Sequence, residues 1–363
     1  MARTLTPESI SLQNCKAVRE ALLRWHTTEN SREMPWKGEK DPYRIWLSEV
    51  ILQQTRVSQG TAYYNRFIAA FPNIGKLAAA ADDDVFKLWE GLGYYSRCRN
   101  LLSTARYISN ERGGIFPNTY DEIIRLKGVG EYTAAAIASF AYNEPKAVLD
   151  GNVFRVLSRI YGIADPIDTV EGKRLFTSLA DQTLDERHPR LYNQAIMDLG
   201  ATVCKPQPDC ECCPLRNNCI AYKHCTVNDL PVKSKRLVIK QRFFTQFVMI
   251  SGTRVLLKRR EAKDVWRHLY EFVALEHSEK VKSEGKHIQQ WIGDTGFEVL
   301  IETDYMKQQL THQTIFTKFV VVKLEKEVAV DGYKWTSFQS LNEVPFPRVT
   351  KMFIEKEPAL FNR

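Results

Sequence analysis

Long apolar runs are missing from this chain. No stretch approaches the ~20 residues needed to span a bilayer, and the first residues, MARTLTPESISLQN, hold no apolar core of the kind that directs secretion. A soluble, cytoplasmic protein is the expectation, associated with the nucleoid if the source is bacterial. Internal repeats and low-complexity tracts are also lacking, which excludes repeat arrays and disordered tails as the organising feature. Neither sign of charge dominates: 51 Lys and Arg against 43 Asp and Glu leave a net +8, which permits a nucleic-acid partner without requiring one. Cysteine is sparse except in one place. Five of the eight fall between residues 204 and 219, and with the rest scattered and reducing conditions expected, a disulfide framework is excluded.

What is present begins with that cluster, Cys204-KPQPD-Cys210-EC-Cys213-PLRNN-Cys219. Zinc modules usually show two short-spaced Cys/His pairs separated by a longer finger. A first cysteine, an intervening loop and a compact C-x2-C-x5-C run suit four thiolates around one [4Fe-4S] cluster better, with zinc or a plain cysteine-rich turn as alternatives. Cys212 is left as a spare.

At 363 residues the chain exceeds one ordinary core, so two domains are expected. Helical spacing of apolar residues, as in 57–71 and 82–109, predicts an all-helical part over 1–227. Residues 228–242, with Pro231 and a run of Lys and Arg, read as a connector. From 243 to 363 β-branched and aromatic segments such as FFTQFVMI and TIFTKFVVVKL, with helical stretches near 279–292 and 349–356, predict a smaller α+β domain.

Gly128-Val129-Gly130 interrupts the helical pattern of 121–142, and glycines there allow the positive φ of a tight interhelical turn. The helix that follows would aim unsatisfied N–H groups outward, a site for phosphate or simply a connection. Glu49, among Trp46, Leu47, Val50 and Ile51, would have its pKa raised by burial, which suits a general acid. Asp150, ahead of GNVFRVLSRI, sits at a helix N-terminus whose dipole favours the ionised form. Two carboxylates of opposed character are what cleavage of a glycosidic bond needs. Taken alone, Glu49 more often reads as a solvated or salt-bridged helix residue and Asp150 as a plain N-cap.

LKGVGEYTAAAIA, then LDGNVFRVLSR, then the cysteine cluster resemble the helix-hairpin-helix DNA glycosylase superfamily in its iron-sulfur branch. MPWK (34–37), WLSEVILQQTRV (46–57) and WEGLGYYSRCRNL (89–101) narrow the resemblance to adenine DNA glycosylases of the MutY type, over roughly residues 20–225. The resemblance implies that Glu49 protonates adenine N7, that Asp150 stabilises the sugar cation and that Asn152 orients groups around them. Tyr132 stands where related endonuclease III enzymes carry a lysine nucleophile, which implies a monofunctional glycosylase. Arg32, Trp36, Leu52 and Gln194 would line the adenine pocket. Gln54, Thr55 and Tyr94 would serve the opposite-base side, with Tyr94 as a wedge. Gly128 and Gly130 would hold the DNA backbone, and Cys204, Cys210, Cys213 and Cys219 would ligate the cluster. The loop from Cys204 to Cys210 is one residue shorter than is usual in the family, and Lys205 and Arg216 near it would face phosphate.

Residues 254–275 resemble the Nudix-like domain with which MutY enzymes detect 8-oxoguanine. The glutamate-rich metal helix of catalytic Nudix enzymes is missing, so this domain would bind without hydrolysing. Leu310-Thr311-His312 takes the place of the family's Phe-Ser-His lesion-reading loop, keeping the hydroxyl and the imidazole but not the aromatic ring. The expected protein is thus a monomeric hydrolase of base excision repair. Its partner is double-stranded DNA with adenine opposite 8-oxoguanine or guanine. Rival readings are an endonuclease III-type pyrimidine-lesion glycosylase, a non-catalytic iron-sulfur DNA-binding protein and a Nudix nucleotide hydrolase.

Overall fold

The computed structural model describes residues 12–234, 239–281 and 286–361. The first eleven residues, positions 235–238 of the expected connector and positions 282–285 of the helical stretch expected near 279–292 lie outside the described residues. Two compact units divide the chain: Met1–Ala78 with Ser103–Arg236, and Ala79–Leu102 with Leu237–Arg363. Among the described residues no helix is long and apolar enough to cross a membrane.

The helical part runs α1 (Leu12–Thr28), α2 (Pro42–Leu52), α3 (Val57–Ala70), α4 (Ile74–Ala79), α5 (Asp82–Trp89), α6 (Tyr95–Glu111), α7 (Tyr120–Ile123), α8 (Glu131–Tyr142), α9 (Gly151–Tyr161), α10 (Val170–Thr183), α11 (Pro189–Thr202) and α12 (Ile220–Lys223). Helix α2 starts where the Asp41 carboxylate accepts from the Tyr43 N–H and Pro42 supplies a preset φ. Every residue from Ile45 to Ile51 is buried, so this helix has no solvent face and lies inside the unit. It packs on α8, whose buried Ala134, Ala135, Ala136 and Ala138 present only methyl groups and let the two helices approach. The interhelical turn ahead of α8 bends at Gly128, where φ is +81. Gly130, by contrast, is the extended N-cap residue of α8 (φ −101), so only one of the two glycines uses the left-handed region. The stretch before the turn also forms less helix than its pattern suggests, only α7.

The second unit is built on a mixed sheet of β1 (Lys240–Ser251), β2 (Arg254–Arg259), β3 (Tyr270–Glu271), β4 (Val273–His277), β5 (Phe297–Glu302), β6 (Met306–Gln309), β7 (Gln313–Leu324) and β8 (Lys334–Ser337). The main path is β3-β2-β1-β7-β5, with β4 on β1, β6 on β7 and β8 on β2. Strands β1 and β7 pair in parallel, with Phe247 opposite Val320, and both are buried almost without alternation, as central strands covered on two faces are. Their inward residues join Leu256, Val273, Ile288 and Ile292 in one core. Helices α13 (Lys286–Ile292), α14 (Arg348–Lys356) and α15 (Pro358–Phe361) also belong to this unit. No Asp or Glu occurs in α13, KHIQQWI. The run LYEFVAL (269–275) carries two strands, β3 and the start of β4, and β6 and β8 had no sequence signal because MKQQ and KWTS are short and polar. The architecture matches the expected order of an all-α part with a helical hairpin and an α+β part built on a sheet.

Residues 79–102 are helical but cluster with the sheet-bearing residues. The Glu90 carboxylate accepts from Phe346 N (3.0 Å) and pairs with Lys351 (2.5 Å), Lys87 Nζ donates to Val344 O (3.0 Å), and Phe86 lies 5.8 Å from the His268 ring.

Candidate active site

Within the first unit a cavity of about 810 Å³ opens between α2, α8, α9 and α11. Its lining includes Arg32, Trp36, Glu49, Leu52, Gln54, Thr55, Tyr132, Asp150, Asn152 and Gln194. Ten positions read from separate stretches of sequence are thus brought to one concave surface.

Glu49 projects from the solvent-free α2 and is only 6% exposed. Burial raises its carboxyl to about 7, the nearby Asp150 charge adds to the rise, and a hydrogen bond from Tyr132 holds it back. The Tyr132 hydroxyl, beside two carboxyl groups and out of water, is held well above the ordinary tyrosine range. Asp150 caps α9, accepting from Asn152 N (2.8 Å), Val153 N (2.7 Å) and the Asn152 side-chain amide (2.8 Å). The sequence places an anion there on the strength of the helix dipole alone. Burial proves the larger influence and raises this carboxyl too, while the three hydrogen bonds and Arg155 oppose it. Of the pair, Asp150 is the one whose charge is solvated by protein donors, so Glu49 is left holding the proton.

Two features behind this pair were not foreseen. Arg155, three residues after Asn152 on α9, donates to Asn152 Oδ1 (2.8 Å), Gly200 O (2.8 Å) and Cys204 O (2.8 Å), tying the capped end of α9 to the start of the cysteine loop. Gly200 on α11 lies against Asn152: a Cβ there would come within 2.7 Å of Asn152 Cβ, so glycine is what lets α11 close on α9. Only spacing could have hinted at Arg155, since i and i+3 share a helix face.

The other wall of the cavity centres on Asp198, which is fully buried yet accepts from Arg32 (2.8 Å), Asn30 (2.8 Å) and Gln194 (2.9 Å). Trp36 packs edge-on to Tyr64 at 5.2 Å, and Leu52 sits over Gly60.

The four cysteines Cys204, Cys210, Cys213 and Cys219 face one small cavity beside α9 and α12. Arg159 donates to Cys204 Sγ (3.4 Å) and to Lys205 O (2.6 Å) and Pro206 O (3.0 Å), which fixes the loop. Burial, followed by the charges of neighbouring thiolates, pushes Cys210, Cys213 and Cys219 upward, Cys213 to about 12, so a bound metal would have to displace protons. Among the described residues no three Cys, His, Asp or Glu groups converge tightly enough to hold a single ion. Four thiols lining one cavity are a donor set that an iron-sulfur cluster or a zinc ion could take. Cys212 is exposed. Arg216 pairs with Glu211 at 2.5 Å and lies over the Tyr222 ring.

In the second unit Thr311 and His312 are exposed at the tip of the β6-β7 hairpin, where Leu310 N donates to Gln313 O (2.8 Å). The Tyr94 hydroxyl is hydrogen-bonded to Thr311 Oγ1, and Tyr94 holds a positive φ of 46 and is 36% exposed. Sequence motifs placed these residues in recognition without foreseeing that bond.

Comparison with known proteins bears on both units. A family model described as "HhH-GPD superfamily base excision DNA repair protein" matches residues 47–181, and a NUDIX domain model matches 245–356. Adenine DNA glycosylase of Buchnera aphidicola subsp. Baizongia pistaciae is 32% identical over 327 residues, covering 89% of this chain and 91% of that protein. Adenine DNA glycosylase of Mus musculus is 44% identical over 218 residues, 57% of this chain and 42% of that protein. Among solved structures, a thermostable thymine-DNA glycosylase superposes with a TM-score of 0.54 at 27% identity, over 59% of this chain and 98% of that one. A trapped endonuclease III–DNA covalent intermediate gives 0.52 at 19% identity, over 60% and 99%, a likeness of fold.

Proposed function

The chain belongs to the adenine DNA glycosylase family of helix-hairpin-helix base excision repair enzymes, and from that premise we propose that it removes adenine paired with 8-oxoguanine or guanine in duplex DNA, leaving an abasic site. The observation that carries the reading is the pairing of Glu49, buried and raised to about 7, with the N-capping Asp150 in one cavity.

In this reading adenine leaves the stack and enters the cavity, at a cost of a few kcal/mol in lost stacking and pairing. Glu49 gives its proton to N7. The C1′–N9 bond then breaks with its electron pair passing to the base, and the Asp150 carboxylate stabilises the oxocarbenium-like sugar beside it. Water adds to C1′ and its proton returns to Glu49. Tyr132 holds the Glu49 carboxyl and cannot form the imine that a lysine would, so strand cleavage does not follow. Asn152 orients Asp150, and Arg32, Trp36, Leu52 and Gln194 hold the base. Gln54, Thr55 and Tyr94 act on the opposite-base side, with Gly128 and Gly130 presenting the hairpin to the DNA backbone.

Thr311 and His312 on the exposed hairpin tip would read the opposite base. Binding without hydrolysis is supported by the lack of carboxylates in α13. The parts would divide as 1–227 for catalysis, 228–242 as connector and 243–363 for recognition. Cys204, Cys210, Cys213 and Cys219 would hold a [4Fe-4S] cluster, which when bound supplies rigidity to the loop rather than a reactant. We further read the protein as a monomer acting in the cytoplasm.

The deciding experiment is single-turnover release of adenine from an A:8-oxoguanine duplex. Wild type should release it, and both Glu49→Gln and Asp150→Asn should lose at least about a hundredfold in rate, the scale of removing one preorganised catalytic group. Unchanged rates in both variants would overturn the assignment, and strong borohydride trapping by wild type would overturn the monofunctional reading.

A further inference from the structure

The chemistry just described uses one polar wall of the cavity. The opposite wall carries Arg32, Lys37, His26 and Gln194, and all four converge on one carboxylate that does not itself line the cavity. Asp198 Oδ1 accepts from Arg32 NH1 (2.8 Å) and Gln194 Nε2 (2.9 Å); Oδ2 accepts from Asn30 Nδ2 (2.8 Å) and lies 3.6 Å from Lys37 Nζ and 3.8 Å from His26 Nδ1. Asp198 is fully buried, so this set of donors is what makes the charge tolerable there.

Gln194 gives that arrangement a consequence for specificity. It stands one helical turn before Asp198 on α11 and is only partly buried, being part of the cavity lining. A side-chain amide has a donating end and an accepting end, and a carboxylate surrounded by donors can only accept. The NH2 of Gln194 must therefore face Asp198, which leaves the carbonyl Oε1 as the end available to an occupant of the cavity. A base with a 6-amino group offers a donor to that oxygen, and a base without one leaves a carbonyl unpaired.

We propose that Asp198 is a positioning residue that locks the Gln194 amide with its oxygen toward the 6-amino group of the flipped base, so that selection of adenine is set from behind the pocket wall. This rests on the reading of the cavity as the adenine site. Replacing Asp198 by Asn inserts an NH2 among donors. Gln194 then loses its anchor or turns over, setting its own NH2 against the amino group of adenine, whereas unsubstituted purine, which has hydrogen at that position, does not meet the conflict.

The test compares single-turnover excision of adenine and of purine, each opposite 8-oxoguanine, by wild type and Asp198→Asn. The expected result is a fall of about tenfold or more in the adenine-to-purine rate ratio, the size of a lost hydrogen bond with an unpaired buried donor. Equal loss on both substrates would show a merely structural role, and no change in either rate would show no role, so both outcomes overturn the proposal. Should Asp198→Asn fail to give a cooperative melt, Gln194→Met decides: an unchanged ratio overturns the proposal, and the same drop in ratio supports it. Wild-type protein that releases neither base sinks the adenine-site reading rather than the role of Asp198.

Discussion

Glu49 leaves water when the chain folds, and most of its chemistry follows from that. An ionised carboxylate there has lost its solvation and faces Asp150, so protonation is favoured up to a pH of about 7. In the proposed mechanism the acid form is the one that works, so activity is expected to fall as pH rises through about 7. Tyr132→Phe removes the hydrogen bond that opposes this rise, so the alkaline limb of the single-turnover pH profile should move upward; a downward move would place the tyrosine elsewhere. Stability carries the same signature. A carboxyl raised on folding favours the folded state while protonated, a contribution fully present below its unfolded pKa and lost as pH rises through about 7. Glu49→Gln cannot ionise, and denaturant titration at pH 8 should find it more stable than wild type by on the order of 3 kcal/mol, the two converging only below a pH of about 4. The burial of Glu49 was legible from its apolar neighbours. That burial would outweigh the N-cap at Asp150 was not, because it depends on how tightly α11 closes over that cap.

Elements decide how such side chains meet. The alanines of α8 bring its first turn onto α2, and so Tyr132 onto Glu49. Helix α11 approaches α9 through Gly200, where an added Cβ would sit 2.7 Å from Asn152 Cβ and 3.3 Å from its backbone. Gly200→Ala is therefore expected to cost about 1–3 kcal/mol in chemical denaturation and to slow adenine release, since it displaces the residue that holds Asp150. Full activity in that variant would show that the contact relaxes without moving Asn152. Long periodic helices such as α3 and the apolar strands β1 and β7 could be read directly, because their patterns run over many residues. Short strands could not: β6 and β8 exist through pairing with β7 and β2, which sequence periodicity does not register.

At the scale of the molecule, the change from helical to strand pattern after residue 227 does not coincide with the compact units, since 79–102 clusters with 237–363. A chain ending at residue 236 would leave Phe86 without His268, and Glu90 without Phe346 N and Lys351. Such a truncation should melt below the full-length protein in calorimetry, and an equal melting temperature would count against dependence of that segment on the C-terminal residues. Duplex binding by the whole protein should weaken steeply between low and physiological salt, because phosphate contacts release counterions. The sequence by itself determined the fold class and the spacing of the cysteines, since periodicity and local motifs depend only on order along the chain, while Glu49 and Asp150 were singled out by the family resemblance. Only the tertiary structure decided that burial raises Asp150 as well as Glu49, that Arg155 joins the capped helix to the cysteine loop, and that Asp198 gathers the far wall of the cavity. Those are consequences of burial and of contacts between residues far apart in sequence, and burial is set by packing rather than by neighbours in the chain.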